Sequence, residues 1–580
     1  MIYITFYYLY AITILFIAGS ATRRLLEKLS RPYPFISHPD FVNILILGTI
    51  SLTTTVSLIS IISPITLYIH ILIIILLSVY IYFDNKYVVK TVIFFISEIK
   101  NNIYIFILGS LCIFAAIIMA SGPVGYFDTG LYHAQAVKWI NEYGTVPGLG
   151  NLHHRLAFNS SWFYFSAFFD MLAFDGKTSH LVNLIPITLG LIACFSGFNS
   201  IAKGNISLTN ILKCFLAFPL CTDRLLMLVY LPTLSPDPVA AILTFYVMIL
   251  VVNYIENSEI TDDYQINSQR ELFILIFCIC FFLPTIKLNG LPALLFPLLL
   301  LIKTKVRAIK MTMISCLVGG IILLPFLVGN VILSGYIIYP FPQIDLFSFD
   351  WKIPYKSADG IRRSIRYFAI HPTPGWADTS IGAMSTLEWM RLWYSQKGNN
   401  PHFLWIIRAS FSAIGFFVIC YIRKAKICSN LLAIQSILIL GIVYWFFSAP
   451  SYRLGIGWIW SFIIFSLGSL VYIILKSVRL RFASSLSRVI FVLVAVVLLN
   501  FLLMRWDTLE NIMGKYAHSW WTVHALPEEK MRAVEIHEGF VVYVPLKYKA
   551  WNADLPNAPN LKRDLRMRGS TLREGFRIAK

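Results

Sequence analysis

Uninterrupted apolar runs close to twenty residues long dominate this chain, and their length decides most of what it can fold into. The hydrocarbon core of a bilayer is ~30 Å thick, and a helix crosses it in ~20 residues. Runs near that length lie at 2–19, 41–62, 66–83, 102–120, 180–201, 238–255, 311–330, 403–422, 431–448, 457–475 and 486–504. Three shorter runs, near 207–222, 271–286 and 290–302, predict broken or paired short helices. Composition agrees. Hydrophobic residues make up 58% and charged residues 13%, about half the ~25% of a water-soluble protein. The first run lacks a basic flank and an A-x-A cleavage site, so a retained span is expected. The fold class expected is an all-α polytopic membrane protein with about 14 transmembrane helices.

A net charge of +19 could suggest nucleic acid, but the basic residues fall between the apolar runs. That is how loops on the cytoplasmic side of a membrane are marked. The clusters are Arg23, Arg24, Lys28 and Arg31; Lys86, Lys90 and Lys100; Lys303, Lys305, Arg307 and Lys310; Arg423, Lys424 and Lys426; and Lys476, Arg479, Arg481 and Arg488. All five share one side only if both termini lie on the other. Parity then predicts that the apolar stretch 158–174 does not cross, and the polar stretch 256–270 becomes a cytoplasmic linker. Three large polar pieces, 121–179, 331–402 and 505–580, face outward. The nine cysteines sit in or beside apolar runs without metal-ligand spacing, and neither a disulfide nor a metal framework is expected. No nucleotide or metal-hydrolase motif occurs in a plausible context, so no cofactor is expected.

The densest chemistry lies in 121–162. Asp128 follows the fourth apolar run and precedes a helical pattern, Leu131, Ala134, Val137 and Ile140, that stops at Gly144. Its simplest role is an N-cap; its alternative is a general base. His133, His153, His154, Arg155 and Asn159 share the loop and are candidate substrate-binding groups, although His133 is five residues on and on an ideal α-helix need not share a face with Asp128. Asp237, between two prolines in SPDP, has the same two readings, cap or boundary carboxylate. Lys287 in TIKLNG stands at membrane depth, where it either snorkels or holds an anion. Arg362, Arg363 and Arg366 lie on an amphipathic pattern with Ile361, Ile365 and Phe368 that suits the membrane interface. Arg408 and Arg453 sit within or at the mouth of apolar runs. Together with Lys287 these arginines are candidates for a lipid phosphate, which guanidinium groups pair with bidentately.

These residues carry a resemblance. An acid after an early span, then an amphipathic helix and a non-spanning helix, resembles the first outer loop of the GT-C superfamily, glycosyltransferases that take sugar from a polyprenyl-phosphate carrier. FDTGLYHAQAVKWINEYGTVPGLGNLHHRLAFNSSWF, SPDP, TIKLNG, SGYIIYPFP and APSYRLGIG are similar to landmarks of a bacterial membrane-protein family related to it. The resemblance divides the chain into additional N-terminal transmembrane helices (1–101), a GT-C-like core (102–504) and an extracytoplasmic carboxy-terminal domain (505–580) of mixed α/β structure. It implies Asp128 as the catalytic acid in an inverting transfer, Lys287 and the arginines on the carrier phosphate, and an apolar groove near 311–340 for the prenyl chain. It also implies a bacterial inner membrane, a polyprenyl-phosphate-linked sugar as donor, a cell-envelope acceptor, membrane lipids as partners and no nucleic acid. Many GT-C enzymes carry a second acid after the first; Thr129 stands there, so no metal is expected. A polysaccharide polymerase or ligase, or a lipid or solute transporter, are the alternatives.

Overall fold

The computed structural model describes residues 2–31, 35, 40–101, 103–170, 178–257, 263–303, 309–372, 379–397, 411, 413–416, 418, 422, 426–477, 524–537 and 539–579. Among these residues ten helices are long and apolar enough to cross a membrane. They are Ile2–Leu29, Phe41–Ile62, Leu67–Lys100, Ile103–Ala120, Ser179–Ala202, Asp237–Glu256, Ser268–Ile286, Ile309–Ser334, Ser429–Ser448 and Tyr452–Lys476. The protein is a mostly helical, polytopic integral membrane protein with a small strand-containing carboxy-terminal region. The expected spans at 403–422, in large part, and 486–504 lie outside the described residues.

The structure corrects several boundaries. The short run at 271–286 is the apolar end of one continuous helix, Asp263–Ile286, whose polar start occupies much of the expected 256–270 linker. The expected 84–101 loop is helical too: Leu67–Asn101 runs on through it, with one non-helical residue at Asp84 (φ −125°, ψ 31°). Asp84 there meets Arg24 at 3.1 Å. The 207–222 run is indeed broken, into Leu208–Phe215 and Ala217–Thr222. Within 158–174 the described helix is Ser161–Phe168, eight residues or ~12 Å, too short to cross.

Small residues let the helices approach closely. The first two spans cross where a Cβ on Gly19 would stand 1.9 Å from the Ile44 carbonyl oxygen, and one on Gly48 1.9 Å from that of Leu15. Such backbone contact is how membrane helices pack when both faces are apolar. The helices Ser179–Ala202 and Asp237–Glu256 are almost wholly buried, whereas Leu67–Lys100 lies on the periphery with its apolar side chains exposed.

The carboxy-terminal module contains two antiparallel hairpins, Met531–His537 with Phe540–Pro545 and Leu565–Met567 with Phe576–Ile578. Its expected helix is absent among the described residues, which hold only the 3-10 turn Leu572–Glu574. Residues 505–523 lie outside them.

Helix direction sorts the charges into two groups. In Asp237–Glu256 the two acids sit ~30 Å apart, with Glu256 capping the backbone N–H groups of Leu208 and Thr209. Arg23, Lys203, Lys213 and Glu271 share the Glu256 end, where several lie around one cleft. The 121–162 loop lies at the opposite end.

Candidate functional site

Four distant segments converge at that opposite end. After Ile103–Ala120 the chain turns into a π-helical stretch, Thr129–His133, that continues as Ala134–Glu142. Asp128 precedes it and makes no side-chain capping bond. Its carboxylate instead accepts a hydrogen bond from Arg453 Nη1 at 2.6 Å and a long one from the Tyr126 hydroxyl at 3.5 Å. Arg155 Nη1 lies 3.8 Å from the other oxygen, and Arg453 also donates to Tyr126. The capping reading of Asp128 is therefore wrong. The acid is turned inward, buried against arginines.

A second pair stands beside the first. Asp237 opens its helix and takes Lys287 on one oxygen and the Ser235 hydroxyl, at 3.0 Å, on the other. Lys287 occupies the break between Asp263–Ile286 and the 3-10 turn Leu288–Leu294. Burial pushes its ammonium below the ordinary lysine range, with Asp237 opposing. Tyr126 and Tyr230 meet edge to face at 5.2 Å. His133 is within electrostatic reach of both pairs. A π turn brings residues five apart close together, which is why the ideal-helix expectation for His133 fails.

Electrostatics give the cluster its sign. Burial alone would push the Asp128 carboxyl up, but Arg453 and its neighbouring cations outweigh burial and hold it at about 2. Burial pushes the His133 imidazole down to about 3, so it is neutral at pH 7. Among the described ion pairs, Arg453, Lys287 and Arg155 share two carboxylates, Asp128 and Asp237. Within these described pairs three cations meet two carboxylates. Arg155 is the loosest member: it lies over the Tyr132 ring at 5.7 Å and its side chain is 39% exposed.

The other candidates fall elsewhere. His153 and His154 lie next to Arg155; burial holds them neutral, at about 3 and about 4, helped by Arg155 at His153 and by Lys562 at both. Asn159 is committed to structure, donating to the Phe326 carbonyl at 2.9 Å and accepting from Tyr164 at 3.0 Å. Arg362 and Arg363 bind Asp359 on their own helix, Tyr355–Ile370, at 2.7 and 3.0 Å, and Arg366 lies over the Trp389 ring at 5.4 Å. None of the three meets the cluster in the described contacts. Arg408 lies outside the described residues. Tyr126, Tyr230 and Ser235 belong to the cluster and were missed; Tyr126 and Ser235, each two residues from a chosen acid, were the available signal.

The comparisons with known proteins follow this geometry. The chain belongs to the family described as Domain of unknown function (DUF8201), whose model matches residues 1–460. That match takes in the first three spans and every member of the cluster. No curated protein and no solved structure matches the chain.

Proposed function

We propose that the protein is a GT-C-like glycosyltransferase, moving a sugar from a polyprenyl-phosphate carrier to a cell-envelope acceptor on the outer face of a bacterial inner membrane. The observation that carries this reading is the group of three cations around two carboxylates at a membrane-edge cluster assembled from the segments 126–163, 230–238, 285–290 and 449–457. In this reading the chain makes fourteen crossings, with both termini outside and the basic helix ends in the cytoplasm.

The chemistry follows from the charges. The acceptor hydroxyl attacks the anomeric carbon, the bond from that carbon to the carrier phosphate oxygen breaks, and the hydroxyl proton passes to Asp128. The carrier leaves as a phosphate monoester carrying one more negative charge than in the donor. Arg453, Lys287 and Arg155 face that growing charge and stabilise it more in the transition state than before it. A carboxyl held at about 2 is a weak base. Arg453 must therefore leave Asp128 for the phosphate, and that exchange restores the basicity of the acid only when donor is bound. The prenyl chain lies along Ile309–Ser334, where Met313, Leu317, Ile321 and Leu324 form an exposed apolar stripe.

Native mass spectrometry of the purified protein with a polyprenyl phosphate tests this. Specific binding, lost in Arg453→Ala and weakened in Lys287→Ala, is the expected result. Binding no better than that of a neutral lipid of the same chain length overturns the reading.

A further inference from the structure

The carboxy-terminal module lies beyond the family match yet grips the stretch that carries the cluster. The Trp551 backbone N–H donates to the Gly130 carbonyl at 2.9 Å, satisfying a carbonyl of the π turn from outside the helix. The Trp551 ring covers Gly130 so closely that a Cβ there would stand 2.7 Å from it. Gln135, one turn on, donates to the Trp551 carbonyl at 2.8 Å and accepts from Asn557 at 2.6 Å. Trp551 is itself buried and holds a left-handed backbone, φ 47°, a conformation that a bulky residue keeps only where surrounding contacts enforce it.

The module is braced on two further sides. The Phe576 N–H donates to the Pro147 carbonyl at 3.0 Å, and Arg568 meets Asp350 at 2.8 Å. One face of the 129–142 segment therefore meets the acid–cation cluster through His133, and another meets the module through Gly130 and Gln135.

We propose that residues 524–579 act as a built-in clamp on the Asp128 turn, with Trp551 as a positioning residue that sets where Asp128 and His133 stand. The clamp makes the module a determinant of activity while touching none of the reacting atoms. This role rests on the proposed sugar transfer only for its consequence, not for its mechanics. The π turn Thr129–His133 is the element held, and Trp551 takes the carbonyl of Gly130 within it.

Amide hydrogen exchange on the full-length protein without lipid tests the clamp, comparing wild type with Trp551→Ala, Trp551→Phe and Gly130→Ala. The expected result is about tenfold faster exchange across 129–142 in Trp551→Ala, the signature of a lowered local opening free energy, with recovery in Trp551→Phe. If Trp551→Ala also loses protection in 531–545, Gly130→Ala decides, because it pushes the ring away and leaves Trp551 in place. Unchanged exchange across 129–142 in both variants overturns the clamp, whatever the lipid results. The same variants are then titrated with polyprenyl phosphate, where the clamp predicts affinity about tenfold weaker in Trp551→Ala and restored by Trp551→Phe. Faster exchange with no lipid binding by wild type keeps the clamp and removes sugar transfer; lipid binding equal in wild type and Trp551→Ala despite faster exchange overturns the positioning role.

Discussion

Two arginine–carboxylate pairs sit at opposite ends of this bundle, and they are built differently. At one end Arg23 grips Glu271 with two parallel bonds, 2.6 and 2.7 Å, while Tyr87 accepts a third from the same guanidinium and Phe35 lies against it. The Arg23 side chain is 2% exposed. At the other end Arg453 holds Asp128 through one nitrogen, its side chain is 32% exposed, and a second arginine waits at 3.8 Å. The first pair is closed, with each charge answered. The second is looser, its carboxylate shared with Arg155, which is 39% exposed.

The comparison breaks first at the closed pair. Arg23→Ala leaves Glu271 buried without its partner, a loss of about 3–5 kcal/mol in comparable cases. Thermal unfolding in detergent is expected to show severe destabilisation, whereas a joint Arg23→Met and Glu271→Leu change recovers most of it. Equal, small losses in both would mean that the pair is not closed.

The open end is expected to respond in binding as well as in stability. Under the proposed function, Arg453→Ala is expected to abolish detectable polyprenyl-phosphate binding and an Arg362→Ala and Arg363→Ala double variant to bind like wild type, since both arginines answer Asp359. Equal loss in the double variant would move the phosphate site to the Tyr355–Ile370 helix.

A smaller effect is expected from pH. The His133 and His153 rings sit at about 3, against ~6.5 in an unfolded chain. Unfolded protein takes up protons below ~6.5 that the buried rings refuse. Stability is full above that value and falls as pH drops from ~6.5 towards ~3. Tm is expected to be lower at pH 5 than at pH 7.5, and an unchanged Tm would contradict the burial of these rings.

Much of this was legible beforehand, and the failures have physical causes. Apolar run length gave nine of the ten long apolar helices among the described residues, because a bilayer sets the length that a crossing helix needs; the tenth, Ser268–Ile286, was expected as a short helix. Asp128, Asp237, Lys287, Arg155 and Arg453 stood out as charges beside apolar runs. Their pairing did not, since Arg453 lies 325 positions from Asp128 and no local pattern encodes a contact between distant helices. The capping expectation for Asp128 failed because an Arg453 bond replaced the backbone one. For Arg362 and Arg363 the signal was present and overlooked: Asp359 stands three and four residues before them, the spacing at which helix side chains pair. The clamp was invisible, because Trp551 and Gly130 are joined only by the tertiary fold.

The central claim is that Asp128 and a carrier phosphate compete for Arg453. Affinity for polyprenyl phosphate, measured in wild type and Asp128→Asn, tests it most directly. Removing the competing charge is expected to tighten binding by about tenfold, or ~1.4 kcal/mol, although the variant forms no product. Unchanged or weaker binding in Asp128→Asn would contradict the exchange, and with it the assignment of this cluster as the phosphate site.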